Sequence, residues 1–401
     1  MSSEIILGAS FLTLIALNIM IKVLVVEDDA VMQIVVSETL ESFGFQAIAC
    51  DDGEQAWQML QTAPEINIVI TDWLMPRLSG IELCRRIRTQ LKVPYYVYTI
   101  ILTSKGDKNA FMEGMEAGAD DFLIKPFDSE ELRMRLNVAT RILAREQMLA
   151  ERNQKLQLAQ QRTNQDLKMA AQLQRGLLPK ARTVDENLRF EWLFHPSRFV
   201  SGDCFNFFEL NSDYVCFYQI DVAGEGVSSA LLSFGLYHHL NRRELLWVEG
   251  KPLAPAQVLR NLAQNFQQTL HEKLHFAIIY GYAQKSSKTL FFSRAGHSSP
   301  IHLDNSTGAL NLCGDDSQDI GALAMEDFVD TQVSFKTGDR LFIYSRGLGQ
   351  VMRQANMLQF LQKARSKPLH EVMKQVGMAL ESKRGQGGFN EDISFLTLES
   401  Q

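Results

Sequence analysis

The residues of this chain that could do chemistry stand at the ends of apolar runs. Ile66-Asn67-Ile68-Val69-Ile70-Thr71 leads to Asp72, and Met75-Pro76 then breaks regular structure. Val23-Leu24-Val25-Val26 leads to Glu27-Asp28-Asp29, Thr99 to Leu102 leads to Thr103-Ser104, and Asp121-Phe122-Leu123-Ile124 leads to Lys125-Pro126. Runs of this kind, apolar along most of their length, read as buried parallel strands. In an open parallel sheet, reactive groups sit just beyond the carboxyl ends of the strands. Glu27, Asp28 and Asp72 brought together there would repel one another unless a hard, oxygen-seeking divalent cation sat among them. With the hydroxyl of Thr103 and the fixed charge of Lys125 added, the set suits transfer of a phosphoryl group onto Asp72. A lone strand-end aspartate is as readily a turn former; four such features in order are a site.

The elements that must position these groups alternate. Ala30 to Phe43, Gly53 to Gln61, Gly80 to Leu91 and Lys108 to Ala117 read as helices between the strands, and Pro94 to Thr103 as a strand lengthened by Tyr95-Tyr96-Val97-Tyr98. Five β/α units give an α/β, flavodoxin-like fold with a five-stranded parallel sheet. On these motifs, residues 20–140 resemble the receiver domains of two-component response regulators. The resemblance implies that Asp72 is the phospho-acceptor, served by a cognate histidine kinase or phosphotransfer protein. It implies Mg²⁺ held by Glu27, Asp28, Asp72 and the carbonyl of Leu74, with Thr103 and Lys125 gripping the phosphoryl oxygens. Phe122 falls on the aromatic switch position and is expected to turn inward on phosphorylation.

From Ser129 to about Leu178 there is no proline and one glycine, Gly176. Ile142, Leu149, Leu156, Thr163, Ala170 and Leu177 recur every heptad, whereas the partner positions Glu146, Asn153, Gln160, Leu167 and Gln174 are mostly polar. Half a seam predicts a weak coiled coil over residues 141–180, either a solvated connector or a homodimer helix carrying the receiver signal. Strands and helices in blocks over residues 181–401 then predict an α+β sandwich.

In that second part acids stand at strand edges in Ser201-Gly202-Asp203, Ile220-Asp221-Val222 and Asn390-Glu391-Asp392. Converging carboxylates of this kind build Mg²⁺ or Mn²⁺ sites for hydrolysis, or serve as ordinary turn acids. The series QLQRGLLP, SGDCFNFF, DVAGEGVSSALLS, SRAGHSSP, TGDRLFIYSRGL and EDISFLTL is similar to the type 2C (PPM) serine/threonine phosphatases of the SpoIIE-like branch. The resemblance implies two Mn²⁺ or Mg²⁺ ions held by Asp203, Asp221, the carbonyl of Val222 and Glu391. It implies as substrate a phosphorylated regulatory protein such as an anti-sigma-factor antagonist, with His297 in a structural turn.

This chain departs from that pattern at Arg346, where the family has a metal-binding aspartate; a guanidinium cannot bind a cation. Arg346 could instead pair with Asp203, Asp221 or Glu391. Asn206 and Glu225 also depart from the family's usual residues. Two readings follow, a phosphorylation-gated phosphatase and an inactive pseudophosphatase adaptor. A net charge of −7 and the lack of a basic recognition helix exclude a nucleic-acid binder dominated by phosphate contacts. Five widely spaced cysteines without a CxxC pair fit a reducing cytoplasm. Ile5 to Ile21 carries no charge but is short for a membrane span and lacks a basic flank, so residues 1–19 are expected to be an extension, with a membrane anchor as the lesser alternative.

Overall fold

The computed structural model describes residues 21–104, 108–180, 187–224, 226–267, 274–321, 327–385 and 388–401. The uncharged N-terminal segment, apart from Ile21, and Glu225 lie outside the described residues. Among the described residues no helix is long and apolar enough to cross a membrane. The chain divides into two compact units, Met1–Gln161 and Arg162–Gln401.

The first unit carries β1 (Lys22–Val26), β2 (Gln46–Cys50), β3 (Ile66–Asp72), β4 (Tyr98–Thr103) and β5 (Asp121–Ile124) in one parallel sheet of order β2-β1-β3-β4-β5. Helices α1 (Ala30–Ser42), α2 (Gly53–Thr62), α3 (Gly80–Thr89) and α4 (Lys108–Glu116) connect them. Each of the first three starts where a short polar side chain accepts freed backbone N–H groups: Asp29 from Val31 and Met32, Asp52 from Glu54 and Gln55, Ser79 from Glu82. Val23 to Val26, Ile68 to Ile70 and Ile100 to Leu102 are fully buried, as strands covered on both faces must be.

The expected lengthening of the fourth strand does not occur: Tyr95 to Val97 lie outside β4. Arg88 donates to the Val97 carbonyl and lies 4.8 Å from the Tyr96 ring centroid, and the Tyr96 hydroxyl donates to Asp120. These lateral contacts occupy the segment in place of a ladder.

Helix α5 (Ser129–Leu177) buries Leu132, Leu136, Ala139 and Leu143, one apolar stripe at helical spacing. Beyond Leu143 none of its side chains is fully buried, and Leu149 and Leu156 are 53% and 66% exposed.

The second unit stacks two antiparallel sheets between helices. One has the order β15 (Thr331–Ser334), β12 (Thr289–Ala295), β11 (Phe276–Gln284), β8 (Tyr214–Val222), β7 (Cys204–Glu209). The other runs β14 (Leu310–Leu312), β13 (Ile301–Leu303), β16 (Arg340–Tyr344), β17 (Ile393–Ser400), β6 (Leu188–His195). A two-stranded ribbon of β9 (Trp247–Val248) and β10 (Lys251–Pro252) is added. Phe190, Phe205, Phe207, Phe217, Phe292, Leu341 and Leu396 fill the space between the sheets. Helices α6 (Val227–Leu240) and α7 (Pro255–Gln267) cover the outer face of the first sheet. Helices α8 (Arg346–Val351), α9 (Gln354–Ala364) and α10 (Leu369–Lys383) cover the second. The result is the expected α+β sandwich. Cys50, Cys84, Cys204, Cys216 and Cys313 are all buried and unpaired. Burial pushes the thiol of Cys84 up to about 11 and those of Cys50, Cys204 and Cys216 up to about 12.

Gly281 sets the spacing of the inner layer. A Cβ there would lie 2.5 Å from the Phe291 carbonyl oxygen, 2.6 Å from Phe292 Cβ and 2.8 Å from Phe217 Cζ. Gly281→Ala is expected to lower stability by about 1–3 kcal/mol through overpacking, read from the urea midpoint of the second unit.

Candidate functional site

In the first unit the parallel register brings the strand ends level. Val26 pairs with Thr71, and Asp72 with Leu102, so the acids after β1 meet the acid that closes β3. Ligating oxygens of Glu27, Asp28 and Asp72 lie within 4.8 Å of one another. Lys125, just past β5, donates from Nζ to Glu27 Oε2 at 2.7 Å and to Asp72 Oδ1 at 2.5 Å. Burial raises the Glu27 carboxyl above its ordinary value, with the hydrogen bond from Lys125 opposing. For Lys125, burial disfavours the charge, but the hydrogen bonds to Asp72 and Glu27 outweigh it and raise the ammonium's pKa. Asp72 Oδ2 accepts from the Leu74 N–H at 3.0 Å, and Thr103 is buried at the end of β4. Three clustered carboxylates form an oxygen-only donor set that fits Mg²⁺.

Phe122 differs from expectation. Its ring is already inward, 7% exposed, with centroids 5.3 Å from Phe111 and 6.2 Å from Trp73. Gly114 makes the recess, since a Cβ there would collide with the Phe122 ring.

In the second unit Cys204 pairs with Ile220, so the flanking Asp203 and Asp221 emerge at the same edge of the sandwich. Asp203 is 2% exposed, and its Oδ2 accepts from the Ser394 hydroxyl at 2.5 Å. Ser394 in turn accepts from Gln219 Nε2 at 2.8 Å, which ties the two sheets together. Burial, with the charges of Asp221 and Asp392 added, raises the Asp203 carboxyl well above its ordinary value.

Arg346 engages both oxygens of Asp221. Its Nη2 donates to Oδ1 at 3.1 Å, its Nε to Oδ2 at 3.3 Å and its backbone N–H to Oδ2 at 3.0 Å. Its Nη1 donates to Asp319 Oδ2 at 3.1 Å, and His275 Nε2 lies 3.5 Å from the same oxygen. Burial lowers the guanidinium's preference for charge, but the hydrogen bonds to Asp221 reverse the balance. A divalent ion needs free carboxylate lone pairs and no competing fixed charge. With the fixed guanidinium charge of Arg346 held against both Asp221 and Asp319, the donor set does not fit Mn²⁺ or Mg²⁺.

Of the partners considered from sequence, Arg346 takes Asp221. Glu391 does not join the group: it is exposed and accepts from Gln350 Nε2 at 2.7 Å. Among the described residues, only Glu27, Asp28 and Asp72 bring three ligating side chains within 4.8 Å. The neighbouring Asp392 faces inward instead, accepting at Oδ1 from the Ser197 N–H and hydroxyl (2.7 and 2.9 Å) and at Oδ2 from the Gly202 N–H (2.7 Å). Val222, the other expected ligand residue, has its carbonyl beside Gly202, where a Cβ would lie 2.9 Å away. Asn206 bonds Asn241 within the fold, at 2.8 Å. His297 is buried with its imidazole pushed down to about 4 by burial, and its carbonyl accepts from Arg294. Sequence reasoning missed Asp319, whose one signal is an acid directly before a buried Ile320.

A family model described as the response regulator receiver domain matches residues 23–137. Response regulator RppA of Synechocystis sp. is 34% identical over 186 residues, covering 45% of this chain and 77% of that protein. This chain belongs to the response regulators. A second model, described as stage II sporulation protein E (SpoIIE), matches residues 211–401 of the regulator. The phosphate regulon regulatory protein PhoB of Rhizobium meliloti is 35% identical over 120 residues, 30% of this chain and about half of its own length (52%). The SiaA-PP2C domain of Pseudomonas aeruginosa matches 60% of the regulator and 98% of its own chain with a TM-score of 0.53 at 20% identity, a likeness of fold. The regulator therefore joins a receiver to a SpoIIE-type output domain.

Arg346→Met would leave Asp221 and Asp319 facing each other without a cation. Breaking a fully buried pair costs roughly 3–5 kcal/mol, but the Arg346 side chain is 37% exposed, so a loss of about 1–2 kcal/mol is expected. Arg346→Lys, which keeps the charge and loses the fork, is expected to recover only part of it; urea unfolding followed by tryptophan fluorescence checks both.

Proposed function

We propose that phosphorylation of Asp72 controls an output domain that captures a regulatory protein without hydrolysing it. The supporting observation is the Arg346 guanidinium forked onto Asp221, where hydrolysis would need a divalent ion. The histidine kinase or phosphotransfer protein supplies the phosphoryl group. A carboxylate oxygen of Asp72 attacks phosphorus, the bond from phosphorus to the donor histidine nitrogen breaks, and an aspartyl phosphate remains. Mg²⁺ held by Glu27, Asp28, Asp72 and the Leu74 carbonyl supplies charge neutralisation when bound. Lys125, close enough to touch both Glu27 and Asp72, shifts a donor to a phosphoryl oxygen, and the Thr103 hydroxyl is the second grip.

The captured partner is of the anti-sigma-factor-antagonist class, the class the SpoIIE-like resemblance implies. The five buried free thiols suit a reducing cytoplasm. Signal transfer runs through α5, paired between two copies along Leu149 and Leu156, which a single chain leaves exposed. The double change Leu149→Glu with Leu156→Glu is therefore expected to give a monomer by light scattering, with the melting of both units unchanged; an unaltered mass overturns the pairing.

Mn²⁺-dependent hydrolysis of an aryl phosphate by the full chain tests the output domain. The unaltered regulator is expected to be silent, Arg346→Asp to gain turnover, and Arg346→Asp with Asp221→Asn to lose it again. Chelator-sensitive turnover by the unaltered chain would establish the hydrolytic reading instead.

A further inference from the structure

The end of α5 is joined to the acid-bearing edge of the output domain by one side chain. Gln174 Nε2 donates to the Ser201 carbonyl at 2.7 Å, and the Ser201 N–H donates to Gln174 Oε1 at 2.9 Å. A carboxamide that both gives and accepts in this way substitutes for a neighbouring strand, and fixes the Ser201 backbone in position and orientation. Ser201 Oγ accepts from the Asp203 N–H at 3.0 Å, and the intervening Gly202 N–H is held by Asp392. Asp392 is linked onward, because its carbonyl accepts from Ser345 Oγ at 3.3 Å, one residue before Arg346. A continuous set of hydrogen bonds therefore runs from the helix through Ser201, Gly202 and Asp392 to the Arg346 turn.

The helix end itself is docked by other contacts. The Tyr237 hydroxyl donates to the Leu177 carbonyl at 3.0 Å, and Trp192 Nε1 to the Pro179 carbonyl at 2.9 Å. Those bonds hold the helix to the sandwich, whereas Gln174 reaches the loop that carries Asp203. Gln174 lies on the weak, polar side of the heptad pattern, where an apolar residue would have strengthened pairing between helices.

We propose that Gln174 is the positioning residue through which α5 sets the Ser197–Asp203 loop: rotation of the helix pulls the carboxamide from Ser201 and frees that edge of the output domain. A two-point bond of fixed geometry tolerates little rotation, so a small turn of α5 suffices to break it. The same helix begins at Ser129 in the receiver unit, which makes Gln174 the place where its motion is read. The signalling part of this inference rests on Asp72 being the phospho-acceptor.

Hydrogen–deuterium exchange on the full chain tests it, following the peptide that spans residues 197–203. Without phosphorylation, Gln174→Ala, and likewise Gln174→Met, which keeps the length but removes both the amide donor and the carbonyl acceptor, is expected to speed exchange at Ser201 about fivefold or more. Acetyl phosphate with Mg²⁺ is expected to speed exchange over residues 197–203 in the unaltered chain and to add nothing in Gln174→Ala, with the aspartyl phosphate followed by intact mass. One alanine inserted after Gln160 turns the rest of α5 by about 100° and is expected to act as phosphorylation does, again with no added effect in Gln174→Ala. A phosphorylation response or an insertion effect that persists in Gln174→Ala overturns the proposal. Absence of the aspartyl phosphate would sink the receiver reading alone, and the insertion variants would still decide the role of Gln174.

Discussion

Carboxylates crowded at the ends of strands need a cation, and both units of this protein depend on how that need is met. In the receiver the near cation is Lys125, a point charge on a flexible stem that touches Glu27 and Asp72 and leaves other oxygens of the cluster open. In the output domain it is Arg346, a planar fork that engages both oxygens of Asp221 and reaches Asp319 as well. An ammonium that can move aside leaves room for a metal and a phosphoryl group. A guanidinium tied by three hydrogen bonds does not. The same electrostatic requirement thus yields an exchangeable site in one half and a closed one in the other.

The closed site also holds the edge of the sandwich together. Asp221 receives the first backbone N–H of α8, Asp392 receives three donors from the Ser197–Gly202 stretch, and Ser394 passes a hydrogen bond from Gln219 to Asp203. Each acid is therefore a fastening between chain segments far apart in sequence. At this edge the carboxylate oxygens hold the fold through N–H and O–H donors.

Much of this was legible in the sequence, for stated reasons. Asp72, Glu27, Asp28 and Lys125 announce themselves because largely apolar strands end abruptly on them, and parallel register does the rest. The conflict at Arg346 was legible because charge has a sign. Its partners were less so: Asp319 lies in an irregular stretch with no periodicity to place it, and the choice between Glu391 and Asp392 turns on which of two adjacent side chains faces inward. Gln174 reads as a weakness in a heptad seam until the Ser201 backbone is seen beside it. Tyr95 to Val97 have strand composition but are captured by Arg88 and Asp120, a tertiary contact that local propensity cannot register. The inward Phe122 depends on a recess at Gly114, and a missing side chain leaves no periodic trace.

The buried cysteines have a practical corollary. Thiolate is the reactive form, and burial holds these thiols in the neutral state well above neutral pH. Toward alkylating and maleimide reagents the buried thiols of Cys50, Cys84, Cys204 and Cys216 are expected to react slowly in the folded regulator. A single surface cysteine introduced on α5 or on the output domain would take a fluorophore or spin label ahead of them. Motion of the connector could then be watched in the otherwise unaltered chain.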